Sequence, residues 1–536
     1  MARPGVGVVA RMLDQAVAAV APSLAMRRAA ARRVLAYYEA AKPGTQRKMH
    51  RDTRGPNALV DQGAAAIRTQ MRHYDRNHDL TVGALNVLVV NTVGPAGIGV
   101  EFQPRRKDGT IHTEYAAALT REYQAFCKRP EVTRTHTMGK CQRLSARTWF
   151  RDGEMFMQHL RGQVDYLRHA SRVPLSLELL EPDLVPLDLN DPERGIRQGI
   201  QLNTWNEKTG FHVLKQHPGE GTVLGSGAFS GTKIIPAERM THLAELSRIG
   251  QLRGVSRFAS VITRIEDLKD YEESERIAAK IAAMLTGYVK RQAPEGDGYT
   301  PTIDPVTGQP KSREIGFAPG MIIDTLAVGE EIGLIDSKRP NPNLVTFRHG
   351  QLRAFCAGVG ASFSSVSKSY EGTYSAQRQE LVEQSIMYAM LTDDFVGMWL
   401  DPVVQDFIRM ANLSAIVRMP ADVDPLTNDD VLYIAPGMPW IDPAKEALAW
   451  LTLIEAGLAS EVEGIRKRGA TPDNVIAQRK EWQAKLEKAG IAIPAAPAAP
   501  GAQQGAKASA AMRTGLMAAA MSEGAPHQPA GTPAEV

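Results

Sequence analysis

Residues 262–290 read ITRIEDLKDYEESERIAAKIAAMLTGYVK. Ile265, Leu268, Tyr271, Ile277, Ile281 and Leu285 recur near helical spacing and no proline intervenes, so one helix is expected over 262–290. At 1.5 Å per residue it is roughly 40 Å long. Its first half carries Glu266, Asp267, Asp270, Glu272, Glu273 and Glu275, and its second half Ala278, Ala279, Ala282 and Ala283, which let another helix approach closely. Residues 291–343 then change character: Pro294, Gly296, Gly298, Pro301, the run Asp304-Pro305-Val306-Thr307-Gly308 and Pro319-Gly320 are turn chemistry, and 321–326 is strand-like. Asn343 is placed to cap a second helix over 344–359, whose apolar stripe is Phe347, Leu352, Phe355 and Val359. Two helices bracket a small β-rich module.

Working outward, 361–374 is a polar loop rich in serine, with Lys368 and Glu371, and a third helix is expected from 375 to about 398. Residues 443–489 are helical again, with Pro443 near an N-terminus and Gly457 and Gly464 as breaks. Beyond 493 the Ala/Pro/Gly/Gln-rich tail holds too few large apolar side chains to offset its ordering entropy, and disorder is expected over 493–536. Upstream, 26–41 reads as helix stopped by Pro43-Gly44, and 67–90 as one further helix. Strand signals follow at 149–160 and 175–180, and 200–205 with 211–214 flank a hairpin turn at Asn206-Glu207-Lys208-Thr209-Gly210. The fold class is α+β.

Length and charge bound the function. A chain of 536 residues exceeds what one core organises, so at least two structural regions are expected. Residues 1–150 carry 24 Lys and Arg against 11 Asp and Glu, a net +13, which leaves −9 for the rest of a +4 chain. The basic part, including Arg27, Arg28, Arg32, Arg33, Arg47 and Lys48, suits phosphate, an acidic protein surface or simple solvation; the acidic remainder does not suit tight wrapping of duplex DNA. The three cysteines are dispersed, with no zinc spacing, and point to a thiol-reducing compartment. Asn91, Pro95 and glycines break the most apolar stretch, so no membrane span is expected. Arg11 and Asp14 interrupt the N-terminal apolar run, which favours an amphipathic helix over a signal peptide.

Catalytic motifs fail on context. His50-Arg51-Asp52 with Asn57 spells a kinase catalytic loop, but only 49 residues precede it and no nucleotide loop lies among them. The glycines at 219–221 and 225–227 lack the spacing of a dinucleotide fingerprint. Asp183, Asp188 and Asp191 lie in a proline-rich turn, a weak basis for two-metal nuclease chemistry. No catalytic, cofactor or metal site is expected, and the chain is read as a non-enzyme.

Several segments in order do carry a resemblance. Arg72-His73-Tyr74-Asp75-Arg76-Asn77, Gly83-Ala84-Leu85-Asn86 and Asn91-Thr92-Val93-Gly94 are followed by Arg151-Asp152-Gly153-Glu154, Leu177-Glu178-Leu179-Leu180-Glu181-Pro182-Asp183 and Ile235-Pro236-Ala237-Glu238-Arg239. Residues 248–254, the Tyr-Glu-x-x-Glu helix at 267–280, Pro319-Gly320, Pro340-Asn341, Tyr374-Ser375-Ala376-Gln377-Arg378 and the Trp-x-Asp-Pro-x-Lys-Glu pattern from Trp440 continue the series. Over about 60–490 the chain resembles lambda-type tailed-phage portal proteins.

The resemblance implies a dodecameric ring at one capsid vertex, in the virion after assembly in the host cytoplasm. Double-stranded DNA would pass through it during packaging and ejection. Implied partners are the terminase large subunit, then a head completion or adaptor protein, with major capsid and scaffold proteins around the ring and no membrane. The protomer would comprise a basic N-terminal arm (1–60), an α+β wing (61–261), a first stem helix (262–290), a clip (291–343) and a second stem helix (344–360). A tunnel loop (361–374), a long helix and wing return (375–419), a helical crown or wing extension (420–492) and a disordered tail (493–536) complete it. In the tunnel loop Ser364, Ser365, Ser367, Lys368, Ser369, Tyr370 and Glu371 would touch the moving duplex. Repeated around a ring, the acidic stem residues become a negative belt that keeps phosphates from sticking, or else they pair with a neighbour's Lys and Arg. A DNA-processing enzyme, nuclease or terminase subunit, using the aspartates at 183–191, and a capsid-interior minor head protein, are the alternatives.

Overall fold

The computed structural model describes residues 21, 23, 24, 26, 52–220, 232–283, 287–291, 330–334, 343–437 and 443–490. Nearly all of the N-terminal arm and of the clip, and the whole tail, therefore lie outside the described residues. In chain order the first elements are α1 (Pro56–Asn77), α2 (Asp79–Val93), β1 (Gly99–Phe102), α3 (Thr113–Cys127), α4 (Met138–Asp152), β2 (Glu154–Arg161) and β3 (Leu175–Leu180). There follow β4 (Ile196–Arg197), β5 (Ile200–Leu202), β6 (Lys208–Val213), β7 (Lys233–Pro236), β8 (Met240–Ala244), α5 (Ile262–Ala283), β9 (Gly287–Arg291) and β10 (Glu330–Leu334). The last are α6 (Leu344–Val359), α7 (Phe363–Ser367), α8 (Tyr374–Phe395), a π-turn at Val396–Leu400, α9 (Asp401–Leu413), β11 (Val431–Ile434), α10 (Pro443–Glu455), α11 (Glu461–Lys467) and α12 (Pro472–Lys488). No described helix is long and apolar enough to cross a membrane.

Two compact units result. Among the described residues, those up to 97 and from 117 to 421 form the larger, and those at 98–116 and from 422 to 490 the smaller. In the larger unit antiparallel sheets of order β3-β2-β8 and β4-β5-β6-β7 enclose Phe156, Leu180, Val185, Ile200, Phe211, Val213 and Ile235. Burying such side chains contributes about 1.5–3 kcal/mol each. A second apolar centre is helical: Trp149 stacks on Phe150 at 4.6 Å, Phe395 on Trp399 at 5.3 Å, and Phe407 meets Tyr123 edge-on at 5.1 Å. α2 packs against α1, α4 and α8, so its apolar residues are buried nearly all round. In the smaller unit β1 pairs antiparallel with β11, Tyr115 Oη donates to Asn428 at 2.7 Å, and Arg466 binds Glu101 at 2.7 Å.

Several expectations are corrected. The first long helix is α-helical only to Ala283; Gly287–Arg291 is a strand, paired with Glu330–Leu334. Gly287 is a poor helix residue, and Tyr288 and Val289 favour an extended chain once a partner strand is available. The arm boundary at 60 cuts through α1, whose Asn57 is buried and binds Gly250 O and Leu252 N at 2.9 and 2.8 Å. The single helix expected over 67–90 is two, parted at the extended, buried His78. Residues 149–152 finish α4, and the strand starts after Gly153. Gly457 (φ +72°) follows α10, whereas Gly464 lies inside α11 and Gly469 (φ +75°) follows it. α6 occupies 344–359 as read, although the Asn343 side chain makes no capping bond to it.

Candidate functional site

The helical pair comes first. α5 and α6 run antiparallel in contact: Phe258 lies 6.1 Å from Phe355, Arg264 donates to Gln351, Tyr271 meets Phe347 edge-on at 4.9 Å, and Arg348 pairs with Glu272. Of the six acidic residues expected on an open face, Glu266, Asp267, Asp270 and Glu273 are exposed. The other two correct that expectation. Glu272 is half-buried against Arg348 of its own chain, and Glu275 is buried. Helix periodicity accounts for this, since 268, 272 and 275 share the face turned toward α6. Glu266 also reaches α1: burial, then its charge and hydrogen bond, raise the Tyr74 phenol above its ordinary range.

The serine segment is less of a loop than its composition implies. Ser362 caps α7, accepting from Ser365 N at 3.4 Å, and Ser362 and Ser364 are both buried. Glu380 of α8 clasps them, accepting from Ser362 Oγ at 2.7 Å and Ser364 N at 3.0 Å. Burial opposes its ionisation, but these donors outweigh burial and hold the carboxyl below its usual range. Tyr388 Oη accepts from Ser362 N at 3.1 Å. Ser364 is therefore structural, a correction to its expected place on a DNA-facing surface. Ser365, Ser367 and Ser369 are half-buried, and the exposed arc is Lys368, Tyr370 and Glu371, with Lys368 in left-handed backbone at φ +57°.

An ionic mount that no single motif announces joins α1, α4 and β2 to the segment before α5. Glu154 is wholly buried and receives Arg253 (Nη2 at 2.8 Å), Arg68 (3.0 Å), His242 Nε2 (3.0 Å) and the Gly254 amide (2.9 Å). Burial raises its pKa, yet Arg253 and then His242 reverse the shift and leave the carboxylate charged well below the ordinary range. Asp152 takes Arg151 at 2.7 Å and Arg72 at 2.7 Å, and Arg72 continues to Asp183 at 2.6 Å. The joint requires glycine: a Cβ on Gly254 would lie 2.0 Å from Gly153 O, and one on Gly153 (φ +89°) 2.3 Å from Val255 C. Segments 72–75, 151–154, 177–183 and 248–254, far apart in sequence, thus meet in one network.

Residues 42–391 match the family model for phage portal protein, lambda family. The chain belongs to that family. The portal chain is 23% identical over 478 residues to the probable portal protein of Halomonas phage phiHAP-1, covering 83% of this chain and 88% of the relative. It is also 23% identical over 459 residues to portal protein B of Escherichia phage lambda, covering 78% and 84%. Among solved structures it is similar to a chain from the neck of an empty gene transfer agent particle computed with C6 symmetry. That similarity has a TM-score of 0.41 and 10% identity, covering 81% of this chain and 98% of the other. The relatives are portal proteins, and the function of this chain is that of a portal at a phage capsid vertex.

Within this portal chain two of the three aspartates weighed for nuclease chemistry serve the fold. Asp183 accepts from Arg72 at 2.6 Å and lies 3.5 Å from Arg68, while Asp191 accepts from the Arg194 amide at 3.2 Å. Glu181, Asp183 and His217 bring ligand atoms within 4.8 Å of one another, but Arg72 stands 3.5 Å from Glu181 as well, so guanidinium already meets the charge a cation would seek. Sequence reading missed Glu380, Arg68 and Arg253; only the placement of Arg253 next to Gly254 within the 248–254 segment hinted at a buried role.

Proposed function

We propose that the chain assembles as a closed ring of twelve copies in the virion and conducts double-stranded DNA through its centre during packaging and ejection. The terminase large subunit docks on it first and a head completion protein later, with capsid and scaffold proteins around the wing and host cytoplasm as the place of assembly. In this reading 56–261 is the wing, α5 and α6 are the stem, 287–343 the clip, 361–373 the tunnel segment and 420–492 the crown. The observation that supports it is the antiparallel α5–α6 pair flanking the β9–β10 pairing, with Glu266, Asp267, Asp270 and Glu273 exposed on one helix. Twelve copies multiply each carboxylate into a belt, and a negative belt releases phosphates rather than binding them. Lys368 and Tyr370 offer the transient polar contact. Negative-stain images of the purified chain are expected to show rings with a central hole; monomers at every concentration would overturn the reading.

A further inference from the structure

Among the described residues, α8 carries an apolar ridge that nothing covers. Val382, Ile386 and Met390 recur every fourth residue and are 45, 65 and 60% exposed. The opposite face turns inward: Gln384 donates to Gly360 O at 2.6 Å, and Tyr388 receives Ser362 N. That inner face packs on the C-terminal end of α6, so the ridge points away from the α6 of its own chain.

α6 has the matching surface. Opposite its buried Leu352, Phe355 and Val359 it exposes Gly350, Arg353, Ala354 and Ala357. A glycine inside a helix costs about 1 kcal/mol relative to alanine. A Cβ at Gly350 would meet nothing within 4 Å, so no contact among the described residues accounts for it. Charge is complementary as well. On its exposed face α6 holds Arg353, whose guanidinium lies over the Phe363 ring at 5.1 Å, and no carboxylate, whereas Glu383, Asp393 and Asp394 flank the ridge; Arg348 lies on the other face, paired with Glu272. Those carboxylates also disfavour DNA as the occupant of the ridge.

We propose that the α8 ridge of one copy docks on the α6 face of the next, with Ile386 over Gly350 and Ala354 and Glu383 against Arg353. Ridge and face are different surfaces, so the contact is heterologous, the type that closes rings of more than two copies. The proposal rests on the ring reading and deepens it by naming the surfaces that join.

The test uses the full chain with Ile386→Cys and Ala354→Cys together, and separately Gly350→Leu. Oxidation of the double variant is expected to give a ladder of covalent multiples, and each single variant none. Gly350→Leu is expected to keep or raise the Tm of the unassembled chain, because the space is open and leucine is the better helix former, while rings disappear from negative stain. Should Gly350→Leu fail to fold, the cysteine pair decides alone. Unmodified rings with no ladder, or intact rings in a folded Gly350→Leu chain, overturn the docking and leave the portal reading standing. Absence of rings in the unmodified chain overturns both.

Discussion

The carboxylates around Glu154 and those of α5 are the same chemical group in opposite circumstances. Glu154 has no solvent exposure and is bound by Arg253, Arg68 and His242, whereas Asp267 and Asp270 stand exposed on α5. Buried and paired, a carboxylate fixes geometry, because removing one partner strands the other charge. Exposed, it contributes little to stability, but repeated around an axis it sets a field. The Glu154 network uses charge as a lock, and α5 carries it as a surface.

Breaking the lock is expected to give the largest effect. Arg253→Ala leaves Glu154 buried without its main partner and is expected to destabilise the chain by about 3–5 kcal/mol in urea unfolding; an unchanged midpoint would remove the lock from the account. Next comes the clasp on the serine segment. Glu380→Ala is expected to cost about 1–3 kcal/mol and to speed amide exchange over 362–366, and unaltered exchange there would show that the segment holds its shape without it.

Acid sharpens the contrast. Burial alone would raise Glu131, but the His136 amide and the hydroxyl and amide of Thr133, with the Thr135 amide, outweigh it and bring the carboxyl from 4.5 down to about 2. A carboxylate with a lowered folded pKa contributes stability that is full above about pH 4.5 and lost as pH falls toward 2. The Tm is expected to drop across that window, and Glu131→Gln to lose stability at neutral pH and flatten the drop. The same acid dependence in wild type and variant would contradict this assignment. The smallest effect on stability belongs to the stem: Asp267→Asn with Asp270→Asn is expected to stay within about 0.5 kcal/mol of wild type. The same pair is expected to make assembled particles retain duplex DNA at low salt, and retention equal to wild type would argue against an acidic bore.

How much of this was legible follows from the range of each interaction. α6 and the β5–β6 hairpin were readable because periodicity and turn residues are local, although β6 starts at Lys208, inside the turn expected at 206–210. β9 was not, since Gly287–Arg291 becomes a strand only by pairing with Glu330–Leu334, a partner dozens of residues away. The Ser362 and Ser364 contacts were hidden for the same reason: serine composition signals a polar loop, and only the approach of Glu380 buries it. The ionic mount joins Arg68, Glu154 and Arg253, which share no spacing rule. Of the ordered segments of the portal resemblance, 72–75, 151–154, 177–183 and 248–254 were visible one by one, and the ionic network is the reason these four belong together.

Native mass spectrometry of the purified chain tests the central claim most directly. One closed assembly of fixed copy number, twelve, that resists dilution is expected. A mass that remains that of a single chain at every concentration, or a continuous series of open multiples, would contradict it.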